Sequence, residues 1–266
     1  MKILSLILLC MTLMACDGIQ FEDEITPSSD PKKFASGDFT KRAFFSNEVI
    51  QTATANGFIL LFDTSTVEET GFVLNDNDKA LSGNYNWAIS NDKLQVTYTN
   101  PATIVCTTEK EDDNNQKITA KNASCSGGTP KNAKIQGELN KAISLSTDNL
   151  AGKTITLEIE GKKEIINFNP NDSAFTLTKE DNGNTSAPEN GVYEKSIFKN
   201  LIRLDYNGSN EYSLWMLMSG NTTTSGILLD LRYIGDTKKL KQVRIYRINN
   251  NDVWTSTEVH NTISFD

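Results

Sequence analysis

The residue types that most often perform chemistry are scarce in this chain. Of its 266 residues, one is a histidine, His260, and four are cysteines. A single histidine excludes a metal site built from several imidazoles, and no serine or cysteine nucleophile in a recognisable elbow accompanies it. We expect His260 to be an exposed or edge-strand residue of a terminal hairpin rather than a general base. The sequence therefore predicts that the protein is not an enzyme.

Two of the cysteines, Cys106 and Cys125, flank a polar run from Lys110 to Gln116. That run is typical of a hairpin turn between strands 103–108 and 117–124, and the two cysteines lie at comparable distances from its centre. A redox or metal-binding pair would favour a CxxC spacing or a nearby histidine, and neither is present. In an exported chain an even pair of cysteines is most simply a structural disulfide.

Charged residues are numerous, but their spacing indicates no catalytic or metal site. The net charge of −8 argues against a nucleic-acid surface, which needs a clustered basic face. The acidic turns 76–78 and 111–113 and Asp172 lack the order of an EF-hand, and Lys238-Lys239-Leu240-Lys241 is typical of a solvated hairpin tip. No spacing singles out a carboxylate pair of the glycosidase kind. We predict no metal and no other cofactor.

The N-terminus carries an apolar run behind a short positive start. After Met1-Lys2, residues 3–14 are apolar except for Ser5 and Thr12. This run is too short to cross a bilayer core of roughly 30 Å and has the proportions of a secretory signal. Its end, Leu13-Met14-Ala15-Cys16, resembles the lipobox of bacterial lipoproteins.

This resemblance implies cleavage before Cys16, acylation of its thiol with fatty acids such as palmitate, and acylation of the new amino terminus. Several acyl chains, at about 0.8 kcal/mol per buried methylene, make a stable membrane anchor. Residues 1–15 would be the signal peptide and residues 16–37, which are polar and punctuated by proline, a lipidated tether. We expect a membrane-anchored protein of the bacterial cell envelope. Asp17 resembles an inner-membrane retention signal of enteric bacteria, but the sequence does not decide between the inner and the outer membrane.

Beyond the tether the hydrophobic pattern has a period of two, which predicts an all-β protein of antiparallel strands with one face in a core and one in water. Clusters rich in asparagine and aspartate separate these strands and are typical of turns. The most helix-like stretch, 140–150, is expected to link two halves. The alternating apolar positions are Leu94-Val96-Tyr98, Ile155-Leu157-Ile159, Ile202-Leu204-Tyr206 and Leu229-Leu231-Tyr233, and the turn clusters are 75–78, 169–172, 181–184 and 249–252.

A weak internal repeat appears when the chain is shifted by 108 residues against itself. The shift superimposes Gly83-x-Tyr85 on Gly191-x-Tyr193, the strand 94–98 on 202–206, and Ile104 on Tyr212. We therefore predict two tandem β-barrel or sandwich units. The first covers residues 38–140, and the second covers residues 148–266 and includes a C-terminal extension.

The pattern of an opening strand, an acidic turn, a Gly-x-Tyr strand and a strand that ends in an aromatic residue resembles bacterial lipocalin-like domains. The tryptophan-bearing opening motif of true lipocalins is missing, since Thr154 and Ile155 follow Gly152-Lys153. The resemblance implies small antiparallel barrels and, as one possible function, a carrier of a small hydrophobic ligand.

The strand 212–218 is apolar on both faces, with Leu214 and Met216 on one and Trp215 and Leu217 on the other. Such a strand is covered twice, here by the other unit or by the C-terminal tail. The alternative is a binding patch formed by Trp215, Leu217 and Trp254. We expect a non-enzymatic binding or interaction module whose partner is a protein, a glycan or a small hydrophobic molecule. A lipocalin-like carrier is the alternative.

Overall fold

A computed structural model describes residues 30, 32–46, 57–73, 79–99, 103–113, 117–127, 137–143, 145–219, 226–248 and 253–264. The described chain is almost entirely β-structure, as predicted. It begins with a 3-10 helix, Ser36–Asp38, and its α-helix is the single turn α1, Thr147–Leu150. Of the most helix-like stretch, 140–150, only this single turn at its end is α-helical in the described residues. None of the described helices has the length and apolarity that crossing a bilayer requires.

The first eight strands form a closed barrel. Each pairs antiparallel with the next, and the eighth returns to the first through Phe44–Lys141 and Phe45–Asn140. The strands are β1 (Arg42–Phe45), β2 (Phe58–Phe62), β3 (Thr66–Val73), β4 (Lys79–Ser90), β5 (Lys93–Tyr98), β6 (Ile104–Asp113), β7 (Lys117–Ser126) and β8 (Gly137–Lys141).

The following strands form a second, nearly closed barrel. They are β9 (Thr154–Ile159), β10 (Lys162–Phe168), β11 (Ala174–Asp181), the short β12 (Asn184–Thr185), β13 (Glu189–Lys195), β14 (Ile202–Tyr206), β15 (Glu211–Ser219), β16 (Gly226–Ile234) and β17 (Lys239–Ile248). The predicted turn at 181–184 is confirmed, because Asn182 and Gly183 have the positive φ values that a tight hairpin requires. Two tandem β-barrels are thus what the sequence predicted.

The last strand, β18 (Val253–Ser264), joins the barrels. It is antiparallel to β17, its residues 253–256 run parallel to β9, and its residues 261–264 run parallel to β4 of the first barrel. His260 lies on this strand opposite Val243. The side chains of His260 and Trp254 lie outside the described part.

The 108-residue repeat relates each strand from β2 to β7 to one strand of the second barrel and, between β10 and β16, leaves only the short β12 without a counterpart among the described residues. Shifting β3 by 108 residues gives the bounds of β11, and shifting β7 gives those of β16 to within one residue. One predicted equivalence is wrong in orientation: Ile104 faces the first-barrel interior, whereas Tyr212 faces outward. The connection before Tyr212 has four residues, 207–210, and its counterpart has five, 99–103. A difference of one residue in the connection reverses which side chains of the following strand face the barrel interior.

Three apolar cores result. One fills each barrel, and a third, which we call the inter-barrel core, lies between them. The outward side chains of β15 (Tyr212, Leu214, Met216 and Met218) meet those of β1 and β2 (Ala43, Phe45, Ile59 and Leu61) there. The strand that is apolar on both faces is therefore covered by the other unit.

The folded body begins before the predicted domain boundary at residue 38. Phe34 and Phe39 are buried in the first-barrel core, with the Phe39 and Phe62 rings 4.8 Å apart. Asp38 and Lys110 form a fully buried ion pair of 3.1 Å. Phe34, which lies within the predicted tether 16–37, is therefore part of the first-barrel core. Cys16 and the predicted signal peptide lie outside the described residues.

Candidate functional site

The structure confirms the predicted disulfide but buries two residues of the predicted binding patch. Cys106 and Cys125 are direct partners in the β6–β7 register and are bonded. Trp215 and Leu217 are 0% and 1% exposed inside the second barrel, where Trp215 packs edge-on to Phe168 with ring centroids 6.0 Å apart. The expectation that they form a surface patch is therefore wrong. Their alternation with Tyr212 and Leu214 sends those neighbours to the opposite face.

That opposite face contributes to an open cleft between the barrels. The cleft has a volume of about 360 Å³, within the range of small-ligand sites, roughly 300–1,000 Å³. Strands β2, β3 and β4 form one wall, strands β13 to β16 form the other, and residues 196–198 and 237–238 contribute to its rim. We call it the inter-barrel cleft. Its lining residues are Leu61, Asp63, Thr66, Glu68, Asn84, Glu194, Lys195, Ser196, Ile197, Phe198, Arg203, Tyr212, Leu214, Tyr233, Thr237 and Lys238.

A stack of three side chains builds the second-barrel wall. Tyr212 and Tyr233 are opposite each other in the β15–β16 register, and their rings are parallel with centroids 5.0 Å apart. The guanidinium of Arg203 lies 4.1 Å from the Tyr212 ring centroid. Asp205 lies two residues on, so it shares a face with Arg203 and accepts its Nε–H at 2.8 Å and its Nη2–H at 2.6 Å. These contacts fix the Arg203 head group and compensate its charge.

Glu68 lies on the first-barrel wall and accepts a hydrogen bond of 2.9 Å at Oε1 from the Tyr233 hydroxyl. This bond joins the two barrels across 165 positions of sequence. Burial raises the pKa of Glu68 from 4.5 to about 7, although the Tyr233 hydrogen bond lowers it somewhat. Burial and the neighbouring Glu68 raise the pKa of Tyr233 well above its ordinary value. At neutral pH the Tyr233 hydroxyl therefore remains protonated and donates its hydrogen bond, while Glu68 is present in both its protonated and its ionised form.

The rim of the cleft is mixed in character. Ile197 is 63% exposed, while Phe198 beside it packs against the inter-barrel core. Lys238 is exposed in the turn after β16, and beyond it a second opening of about 470 Å³ continues the groove past Gly83 and Lys239. The two openings share Glu68, Asn84, Thr237 and Lys238. The result is an elongated groove with apolar, acidic and basic contacts.

A second group of charged side chains lies inside the second barrel, although the sequence pattern predicted that they face solvent. Asp230 and Arg232 were expected on the solvent face of β16, but they are 0% and 8% exposed, because Leu229, Leu231 and Tyr233 face the inter-barrel core instead. Arg232 donates to Asp230 at 2.9 Å and is also paired with Glu164. This correction follows from the first barrel, which covers the other face of β16.

The Glu164 carboxylate on β10 forms ion pairs with two arginines, one on β16 and one on β17. Arg232 and Arg244 both donate to its carboxylate, the second at 3.0 Å. Burial alone would raise the pKa of Glu164, but the two guanidinium groups outweigh it and hold that pKa at about 2. The group is internally compensated and acts as a structural cross-link between β10, β16 and β17.

The acidic residues that were candidates for cation binding have other partners where they are described, and Glu111 and Asp113 lie on strand β6 rather than in a turn. Asp113 pairs with Lys110 at 3.0 Å and with Lys141 at 2.6 Å, and Glu111 pairs with Lys121 at 3.1 Å. Asp172 accepts the backbone N–H of Ala174. Within the described ranges no group of three or more cysteine, histidine or acidic side chains has the geometry of a metal site.

Comparison with known proteins returns no match: no family model, no curated protein and no solved structure is significantly similar to this chain.

Proposed function

We propose that this chain is a lipid-anchored binding protein of the bacterial cell envelope and that it holds a segment of a partner protein in the inter-barrel cleft. The lipobox-like sequence that ends at Cys16 supports the anchor. The cleft supports the binding role, because it is the place where polar and apolar groups from both barrels converge on one open groove.

The observation that carries the proposal is the contrast between filled barrels and an open junction. The first barrel is filled by rings such as Phe44, Phe62 and Trp87, and the second by Phe168 and Trp215. A lipocalin-like carrier needs an interior that can hold its ligand. The packed interiors favour a binding module over a carrier of a small hydrophobic molecule.

The chemistry of the groove favours a polypeptide over a glycan. Glycan sites usually present an open aromatic face, but Tyr212 and Tyr233 are only 9% and 2% exposed, and Arg203 covers the outer ring. An extended peptide needs alternating apolar and polar contacts along a groove. Ile197 and the partly buried Phe198 at the rim supply the apolar ones.

A random peptide library displayed on phage, selected against the purified mature chain, tests this proposal. The two exposed large hydrophobic residues in the described chain provide a matched pair of variants, because Ile197 lines the cleft and Val192 does not. We expect selected peptides to lose binding to Ile197→Asp and to keep it with Val192→Asp. Peptides that bind both variants equally, or a selection that enriches none, would contradict the proposal.

A further inference from the structure

The floor of the inter-barrel cleft holds a carboxyl group whose charge no described cation compensates by a direct contact. Glu68 accepts a hydrogen bond from the neutral hydroxyl of Tyr233, whereas Arg203, which also lines the cleft, donates to both oxygens of Asp205. Lys238 is in the exposed turn at the rim. An acid in this position gains more from an incoming cation than the compensated groups around it.

The surroundings of Glu68 suit the stem of a long basic side chain. Ile197 and the partly buried Phe198 contribute apolar surface to the same cleft, whereas Leu61, Leu214 and the Tyr233 ring, at 2–4% exposed, close it from inside. Lysine and arginine bury their methylene stems along such surface while the charged head reaches a counter-ion. The Tyr233 hydroxyl orients the carboxyl, because it is fixed by the ring stack with Tyr212 and stays a donor.

We propose that the inter-barrel cleft recognises an ammonium or guanidinium group, supplied by a lysine or arginine side chain of the bound segment, with the Glu68 carboxylate as its counter-ion. This inference rests on the proposed function, since it names the chemistry of the segment that the cleft would hold. It assigns Glu68 as the residue that determines specificity.

Binding is then coupled to a proton. The cation requires ionised Glu68, so the protonated form must release its proton to solvent when the ligand binds. Because the pKa of free Glu68 is about 7, affinity rises with pH up to that value, about tenfold for each pH unit below it, and levels off above it.

Other titratable groups face the same space from every wall. Asp63 lies at the end of β2, Tyr212 and Tyr233 lie on β15 and β16, Glu194 and Lys195 on β13, Arg203 on β14, and Lys238 in the turn before β17. Tyr233 has a pKa far above neutrality, and burial raises that of Tyr212. Burial raises the pKa of the Glu68 carboxyl to about 7, so we expect Glu68 to release the proton near neutral pH.

The test follows the Glu68 carboxyl of the mature chain by carbon-13 NMR during pH titration. The probes are the blocked tripeptide Ala-Lys-Ala and the same tripeptide with an acetylated lysine amine. At a lysine-peptide concentration about ten times its Kd, we expect the Glu68 pKa to fall by about one pH unit. The acetylated peptide should leave it unchanged. An unchanged pKa with both probes, at concentrations up to the solubility limit, overturns the inference.

Two variants separate a specific counter-ion from general attraction. Glu68→Gln should abolish both binding of the lysine probe and proton release, measured by calorimetry in buffers of different ionisation enthalpy. Glu111→Gln removes an exposed carboxylate of the first barrel that does not line the cleft, and it should retain both. Equal loss in both variants contradicts the role of Glu68. A Glu68 response without cleft-dependent library peptides would instead reject the partner segment and leave a site for small amines.

Discussion

Replacing Glu68 by glutamine should stabilise the protein above neutral pH and have little effect in acid. Glutamine keeps the shape of the side chain, and its amide oxygen can still accept the Tyr233 hydrogen bond. What the substitution removes is the cost of placing a negative charge in the junction between the barrels.

The sign and size of this change in unfolding free energy follow from the pKa of Glu68. Glu68 in the folded protein has a pKa of about 7, against 4.5 ordinarily, so between these values the folded state binds more protons than the unfolded state. The stability of the wild-type protein must therefore fall as pH rises through that window. At about 1.4 kcal/mol per pH unit the upper limit is about 3 kcal/mol, which solvent access at the cleft reduces to about 1–2 kcal/mol.

Urea denaturation of both proteins from about pH 4 to about pH 8 measures this difference. The gap in unfolding free energy between Glu68→Gln and wild type should open across the window and then stay constant. Glu111→Gln, which changes an exposed carboxylate on the first barrel, should keep a constant offset from wild type. Parallel curves for Glu68→Gln and wild type, or a variant that is less stable at high pH, would refute the argument.

Three further predictions concern the rest of the chain. Reducing the Cys106–Cys125 bond, or replacing both residues by serine, should cost about 3 kcal/mol of unfolding free energy in the chain-entropy model; an unchanged denaturation midpoint would contradict this. Arg232→Met should destabilise the second barrel by about 3–5 kcal/mol in denaturant, because Glu164 and Asp230 lose a buried counter-ion; the double variant Arg232→Met/Glu164→Gln should recover part of that loss, and no recovery would count against charge as the cause. Cys16→Ser should abolish incorporation of labelled palmitate and release the protein from membranes, and label retained in the variant would exclude Cys16 as the modified residue.

The pattern of alternation was sufficient to predict β5, β9, β14 and β16 and, with them, the all-β class. β5 and β14 have buried residues at every second position, as the sequence indicated, because one face of each meets a barrel interior. The disulfide was predictable for the same local reason, since a hairpin centred near residue 115 brings its two cysteines opposite each other. These features depend on neighbours in sequence.

The same alternation misassigned the faces of β16. Its pattern says that Leu229, Leu231 and Tyr233 share one face and that Asp230 and Arg232 share the other. It does not say which face meets the barrel interior. The structure sends the charged face inward, where Glu164 and Arg244 compensate it, and covers the apolar face with the first barrel. Both faces are buried, which no single strand can reveal.

The sequence by itself determined the class of the protein, the two barrels and the disulfide, because periodicity and turn residues act over a few neighbouring positions. The position of the candidate site was decided only by tertiary structure. A connection one residue shorter before β15 turns Tyr212 and Leu214 outward, and the docking of the first barrel then buries most of that face. Glu68 meets Tyr233 across 165 positions only because of this docking. Burial in that junction, rather than any local motif, raises the pKa of Glu68.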